Sequence, residues 1–547
     1  MTDAKPPTLA ARVFDRVTAR RQGFPPARST FRIERDLRVP MRDGISLLTD
    51  HYLPDNAPGR GTVLIRTPYG RGLPIGPQAR LFAGQGYHVV VQSCRGTFGS
   101  GGQFRPMAPD INDGQDAMAW LRQQPWFDGR LATYGASGVG WTQWALLMDP
   151  PPELRASIII AAPHDTARFG LGAGAMRLHD VLTWARVIAN QDRFGMLGSM
   201  VIFSRSAQIN ASTVTALPLG DALDSALKYR TPWLREFASH QDHNDPYWVP
   251  YDASAALEKV QTPVRLAVGW QDLLLSQTLH QYEVLRGRGV DVTLTIGPWI
   301  HQTTVRGGDG ELTEGDLDWL AEHLADEPVT RRHQPVRVYV TGAEEWREYD
   351  RWPPQRTEPE QVYHLDAAGR LGTEAPQPSD ASFVYDPARP TPTLGGPLID
   401  MSAGVVDNRE LEAREDVLTY TTEPLSEAVD IIGAVAVELE HSRSNQFADV
   451  FVRLCDVDAT GRSLNITETF LRLDALPREE QIRLSLNPCA HRVAAGHRLR
   501  LQISGGSFPQ YLRNQGTGEA PDTGVELRPC VHTVHHGKSR VLLPVLR

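Results

Sequence analysis

Ser137, Asp272 and His301 are the three residues of this chain whose types and order could carry a nucleophilic displacement. Ser137 lies in the run Tyr134-Gly135-Ala136-Ser137-Gly138-Val139-Gly140-Trp141, entered by an apolar stretch at 131–134 and followed by helix-like sequence over 139–148. A serine between small residues at a strand-to-helix turn stands on a sharp bend. The bend lifts the hydroxyl clear of the sheet and aims backbone N–H groups at whatever it attacks. Glycines are needed where such a bend crowds the backbone. A serine hydroxyl alone is a poor nucleophile at neutral pH. It requires a base to take its proton, and the base requires a carboxylate to fix its tautomer and stabilise the imidazolium. Taken singly, each residue has a plainer reading: a Gly/Ser helix cap, an aspartate capping the next helix, a structural loop histidine.

The surrounding elements explain how residues so far apart would meet. Runs at 62–66, 87–91, 131–134, 156–160, 262–268 and 292–296 read as buried strands, several of them separated by helical stretches, the rhythm of a parallel sheet. In an open parallel sheet the functional loops lie at the carboxyl ends of the strands. Tyr69, Ser137, Asp272 and His301 each follow such a run within a few residues, which places all four on one edge. The order Ser, Asp, His is that of α/β-hydrolases. The stretch after residue 163 is helical in texture and reads as an insertion, and beyond Trp352-Pro353-Pro354 short alternating strands predict a β-sandwich of jelly-roll type. The expected division is an α/β-hydrolase core over 1–162 and 256–350, a helical cap over 163–255, and a jelly-roll domain over 351–547.

Composition narrows the class further. The 547 residues are 41% hydrophobic and 22% charged, with a formal net charge of -9, which offers neither a basic patch for nucleic acid nor a polybasic membrane segment. Four scattered cysteines (Cys94, Cys455, Cys489, Cys530) lack the spacing of a zinc site or a disulfide framework. With no apolar run of about 18 residues, the expectation is a cytoplasmic protein. The Gly-rich run 95–102 lacks the Gly-Lys-Ser/Thr ending of a phosphate cradle and reads as a structural turn. His240, Asp242, His243 and Asp245 cluster without convergent spacing, so turn and capping chemistry is expected there rather than a metal site.

The motifs carry a resemblance. Met41-Arg42-Asp43-Gly44, Arg66-Thr67-Pro68-Tyr69, Arg95-Gly96, Gly135-Ala136-Ser137, Gly140, Thr142-Gln143-Trp144, Gly269-Trp270-Gln271-Asp272 and Gly297-Pro298-Trp299-Ile300-His301 resemble the cocaine-esterase and X-prolyl dipeptidyl-peptidase family, the CocE/NonD hydrolases. Ser507-Phe508-Pro509 and Arg513-Asn514 extend the likeness towards the C-terminus. The Gly-x-Ser-x-x-Gly spacing is itself the family's habit. The resemblance implies a nucleophile, acid and base at Ser137, Asp272 and His301. It also implies a tyrosine oxyanion donor at Tyr69 with the Gly138 N–H as the second, and no metal or organic cofactor. Where relatives often carry an aromatic after the nucleophile, this chain has Gly138. Arg168 and Leu274 stand at positions that are aromatic in esterases taking aromatic acyl groups. Arg168, Phe169 and Leu274 are therefore expected to line the substrate pocket and to favour aliphatic or polar acyl groups over benzoyl.

The leading expectation is a serine hydrolase that cleaves small-molecule acyl esters or amides through a covalent acyl-serine. A dipeptidyl peptidase or acylase using the same triad is the alternative within enzymes. A non-catalytic binding protein working through the sandwich is the rival from another class, and the filled triad positions count against it. Neither nucleic acid nor a membrane is expected as partner, and self-association is left open.

Overall fold

The computed structural model describes residues 4–9, 11, 13, 15, 17, 25–55, 59–108, 110–172, 174–228, 230–329, 334–356 and 359–546. Its first ten strands share one sheet: β1 (Phe31–Pro40), β2 (Ser46–Pro54), β3 (Thr62–Thr67), β4 (His88–Ser93), β5 (Leu131–Ala136), β6 (Leu154–Ile160), β7 (Val264–Gln271), β8 (Val292–Ile300), β9 (Val336–Val340) and β10 (Glu345–Tyr349). The spatial order is β1-β2-β4-β3-β5-β6-β7-β8-β9-β10, with β4 to β9 mutually parallel and the edges antiparallel. Every residue of β3 is buried, as a strand covered by helices on both faces must be, and this is why its centre, Val63-Leu64-Ile65, is apolar on both faces rather than alternating. The edge hairpin β1–β2 closes on Asp43-Gly44, where Gly44 takes the positive φ of 84° that the turn demands.

β8 runs further than the sequence predicts. The strand expected over 292–296 continues through Gly297, Pro298, Trp299 and Ile300, and the β7–β8 register slips so that Gln271 pairs with Ile300. The slip brings the Trp299 carbonyl against Gly269, where an added Cβ would stand 2.1 Å from that oxygen. Only glycine fits, and the bulge re-aims the chain so that His301 opens a short helix, His301–Thr304, at the sheet edge.

Between β6 and β7 the chain leaves the sheet for a helical excursion. Its main element is Leu178–Thr215, broken at Gly195 (φ 58°) and at Arg205, followed by Leu219–Ala226, Trp233–Ser239 and Ala255–Lys259. Past residue 360 the strands are antiparallel and form sheets of six, four and two strands packed on one apolar core that includes Val437, Leu439, Val452, Leu454, Leu501 and Ile503. The protein is thus an α/β core with a separate C-terminal β-sandwich. Backbone bonds from Thr341 N–H to the Ala490 carbonyl and from Arg492 N–H to the Thr341 carbonyl weld the two together. Among the described residues, no helix is long and apolar enough to cross a membrane.

The sandwich buries a histidine pair: His441 Nε2 lies 3.1 Å from His532 Nδ1, and His532 stacks on Phe383. Burial is the main cause that pushes His441 down to about 4 and His532 to about 3. An unfolded histidine takes its proton near pH 6.5. The folded state therefore binds fewer protons between that pH and about 4, and stability must fall as pH falls through this window. Melting temperature should drop from pH 7 to pH 4, and His532→Gln should flatten that slope. An unchanged slope in the variant would locate the acid sensitivity elsewhere.

Candidate active site

Ser137 sits between the last residue of β5 and the helix Gly138–Leu146, at φ 55° and ψ −126°. This is a backbone conformation that a non-glycine residue adopts only when its surroundings impose it. They do so here through hydrogen bonds. The Ser137 N–H donates to the carbonyls of Ile160 (2.9 Å) and Ala161 (3.1 Å) at the end of β6, and the Ser137 carbonyl accepts from the N–H groups of Gly140 and Trp141. Gly135 and Gly140 allow the close approach. A Cβ on Gly135 would stand 2.7 Å from the Val139 carbonyl, and one on Gly140 would stand 2.3 Å from the Cβ of Ala162. The motif's polar residues brace the same turn: Thr142 Oγ1 donates to the Arg66 carbonyl at 2.9 Å, and Gln143 Nε2 to the Ile158 carbonyl at 3.0 Å.

The three residues from distant strands meet. His301 Nε2 lies 3.0 Å from Ser137 Oγ. On the other side of the ring, His301 Nδ1 lies 2.9 and 3.1 Å from the two carboxylate oxygens of Asp272. The Asp272 side chain is fully buried and also accepts the Leu274 N–H at 3.0 Å, so the carboxylate is fixed from a second direction. A carboxylate at Nδ1 keeps the proton there and leaves Nε2 free to accept from the serine.

Tyr69 reaches this point from the end of β3. Its hydroxyl accepts a hydrogen bond from Trp184 Nε1 at 3.1 Å, and a Cβ built on Gly138 would lie 2.9 Å from the same oxygen. Burial pushes the Tyr69 pKa up, partly offset by Trp184, the Ser137 hydroxyl and the Gly138 N–H. The phenol therefore stays protonated and can donate. Trp184 belongs to the helix Leu178–Thr215, and one heptad further along it Gln191 Nε2 donates to the Pro68 carbonyl at 2.7 Å. The inserted helix thus grips the Pro68-Tyr69 turn at both its backbone and its side chain. Sequence reasoning missed both residues. The signal was the seven-residue spacing of Trp184 and Gln191, which puts them on one helix face.

The expected pocket residues lie elsewhere. A cavity of about 1240 Å³ opens at Ser137, and Arg168, Phe169 and Leu274 do not line it. Arg168 points outward, its side chain 63% exposed and paired with Asp165 at 3.2 Å. Phe169 packs against the hydrophobic core, and Leu274 is buried beside Asp272. Within the insertion it is the long helix Leu178–Thr215, not the segment around 168, that supplies wall residues such as Trp184, Val187 and Met196. The His240 cluster behaves as turn chemistry. His240 Nδ1 bonds Asp245 at 2.8 Å, Asp245 accepts the Tyr247 N–H, and Asp242 accepts the Asn244 N–H. Among the described residues, no group of three or more His, Cys, Asp or Glu side chains could hold a metal ion. Arg95 ties the Gly-rich run to Asp113 and Asp43.

A mostly parallel sheet with a serine on a strained strand-to-helix turn and a helical excursion after β6 is the architecture of an α/β-hydrolase core, here joined to a C-terminal β-sandwich. Residues 43–303 match the X-Pro dipeptidyl-peptidase (S15 family) profile, and residues 329–541 match that of the X-Pro dipeptidyl-peptidase C-terminal non-catalytic domain. The chain is 28% identical to the cocaine esterase of Rhodococcus sp. (strain MB1 Bresler), over 94% of this chain and 99% of that protein. In fold it is similar to an aminopeptidase from a marine-sediment Thaumarchaeota archaeon (TM-score 0.81, 23% identity, 94% and 97% of the two chains). It is also similar to a CocE/NonD family hydrolase from Staphylococcus aureus (TM-score 0.68, 15% identity, 94% of each chain). The chain belongs to the CocE/NonD family of hydrolases, the S15-type serine esterases and peptidases.

The glycine at 135 tests the turn. Gly135→Ala drives a methyl group into the Val139 carbonyl at the first turn of the helix, an atom that moves only if the helix start moves. The expected result is a melting temperature several degrees lower, with slower reaction of Ser137 towards a fluorophosphonate. Parent-like values for both would show that the turn relaxes freely.

Proposed function

We propose that the chain is a carboxylic-ester hydrolase working through an acyl-Ser137 intermediate. The observation that carries the reading is the unbroken chain of hydrogen-bond distances from Ser137 Oγ through His301 to Asp272. His301 Nε2 takes the proton from Ser137 Oγ as that oxygen attacks the ester carbonyl carbon. Asp272, at Nδ1, stabilises the imidazolium so formed. The carbonyl oxygen becomes an oxyanion, received by the Tyr69 hydroxyl and the Gly138 N–H at the N-terminus of its helix. His301 then returns the proton to the departing alkoxide. Water, deprotonated by the same imidazole, releases the acid and restores the serine. Ester cleavage fits the cocaine esterase likeness across nearly the whole chain. Amide cleavage through the same groups is the alternative that the S15 profile keeps in view.

A fluorophosphonate should label Ser137, and labelling that persists in Ser137→Ala would overturn the assignment. Asp272→Asn should fold normally and lose about 10⁴ in turnover, because the base loses its orienting carboxylate. Full activity in that variant would move the acid elsewhere.

Removing only the phenolic oxygen, as in Tyr69→Phe, should raise the barrier by roughly 2.7–4 kcal/mol, about 10²–10³ in kcat. Trp184→Phe leaves the oxygen but removes the N–H that holds it. A fall of about tenfold in kcat with a smaller change in KM is expected, since only a charge-developing step uses that donor. Parent-like kcat in Tyr69→Phe would reduce the tyrosine to packing.

A further inference from the structure

We infer that the preferred substrates carry an extended, uncharged aliphatic chain, and that the chain lies in the cavity running from Ser137 along the broken cap helix. This rests on the ester-hydrolase reading above and deepens it. The cavity of about 1240 Å³ exceeds the ~300–1,000 Å³ typical of sites for compact ligands. Aliphatic and thioether side chains line both sides of it, Val187, Met196 and Met200 from the long helix and Ile75 and Leu81 from the helix Ile75–Gly84, with Phe203 beside them.

The charges on the wall tell against a substrate ammonium. Its two acidic residues are both paired: Asp15 with Arg80 at 2.7 Å, and Asp55 with Arg32 at 2.8 Å. A buried ammonium with no free carboxylate would carry its full desolvation cost, so α-aminoacyl esters should be poor substrates.

The mouth is apolar as well. Met196 and Met200 belong both to the wall and to the surface, 37% and 45% exposed. Phe194, Leu197 and Val201, also exposed on this helix, line a separate groove with Arg186 and Asn190. An aliphatic chain would therefore meet the Met196 and Met200 side chains first as it entered. Methionine side chains are unbranched and polarizable and adapt to chains of differing length.

Two ester series test the inference on the full-length protein: 4-nitrophenyl alkanoates from acetate to decanoate, and n-alkyl acetates over the same range. In the series whose variable part enters the cavity, kcat/KM should rise about threefold to fourfold per methylene until the chain fills the walled length. Esters of α-amino acids of matched size should be at least about 100-fold slower. Ser199 lies on the wall between Met196 and Met200, and Ser199→Trp should lower the decanoate-to-acetate ratio of kcat/KM at least about tenfold. Flat or falling profiles in both series, on protein whose Ser137 is labelled by a fluorophosphonate, overturn the chain preference and leave the hydrolase reading standing. A Ser199→Trp variant that is labelled normally yet keeps the parental ratio overturns the placement of the chain. Absence of labelling together with absence of turnover on every ester overturns the hydrolase reading, and this inference with it.

Discussion

The left-handed backbone at Ser137 is the constraint on which the rest of the molecule depends. A side chain at φ 55° is unfavourable in isolation, at a cost of order 1–3 kcal/mol, and persists only where the surroundings over-determine it. Carbonyls from β6 hold the serine N–H, the first turn of the following helix holds its carbonyl, and glycines on either side leave room for both. The parallel sheet supplies those carbonyls at the right height. The alternation of strand and helix in the core is therefore what keeps one hydroxyl standing above an edge, within 3.0 Å of an imidazole more than 160 residues away in sequence.

How much of this could be read from the chain follows from which features are local. The sheet was legible because buried parallel strands write themselves as short apolar runs, and the edge holding Tyr69, Ser137, Asp272 and His301 follows from strand ends alone. The sandwich was legible from alternation. The extent of β8 was not, because the slip that keeps 297–300 in the strand depends on a glycine in the neighbouring strand. The pocket failed for a related reason. Arg168, Phe169 and Leu274 were placed at the pocket by likeness to positions in relatives, yet a helical insertion meets the sheet at an angle that no local pattern encodes. Trp184 and Gln191, which do touch the Pro68-Tyr69 turn, have meaning only once that angle is known.

The sandwich also reaches the site. Asp180, on the long helix, accepts the Ile399 N–H at 2.9 Å, and Gln302, next to His301, donates to the Ile399 carbonyl at 2.7 Å. Arg177 bonds both Asp180 and the Pro397 carbonyl, and His179 and Ser206 both bond the Asp400 carboxylate. Ile399 in turn lines the cavity. A segment of the C-terminal domain is thus stitched between the inserted helix and the histidine loop. The sandwich forms part of the wall as well as bracing it.

The bond between Trp184 and Tyr69 makes the cap an interlock. If the cap helix swings away, the Tyr69 phenol loses its Trp184 partner and the Pro68 carbonyl its Gln191 partner at the same moment that the cavity opens. In this chain the cap and the tyrosine turn are therefore one unit, and a cap grafted from elsewhere would have to bring its own grip on Pro68 and Tyr69.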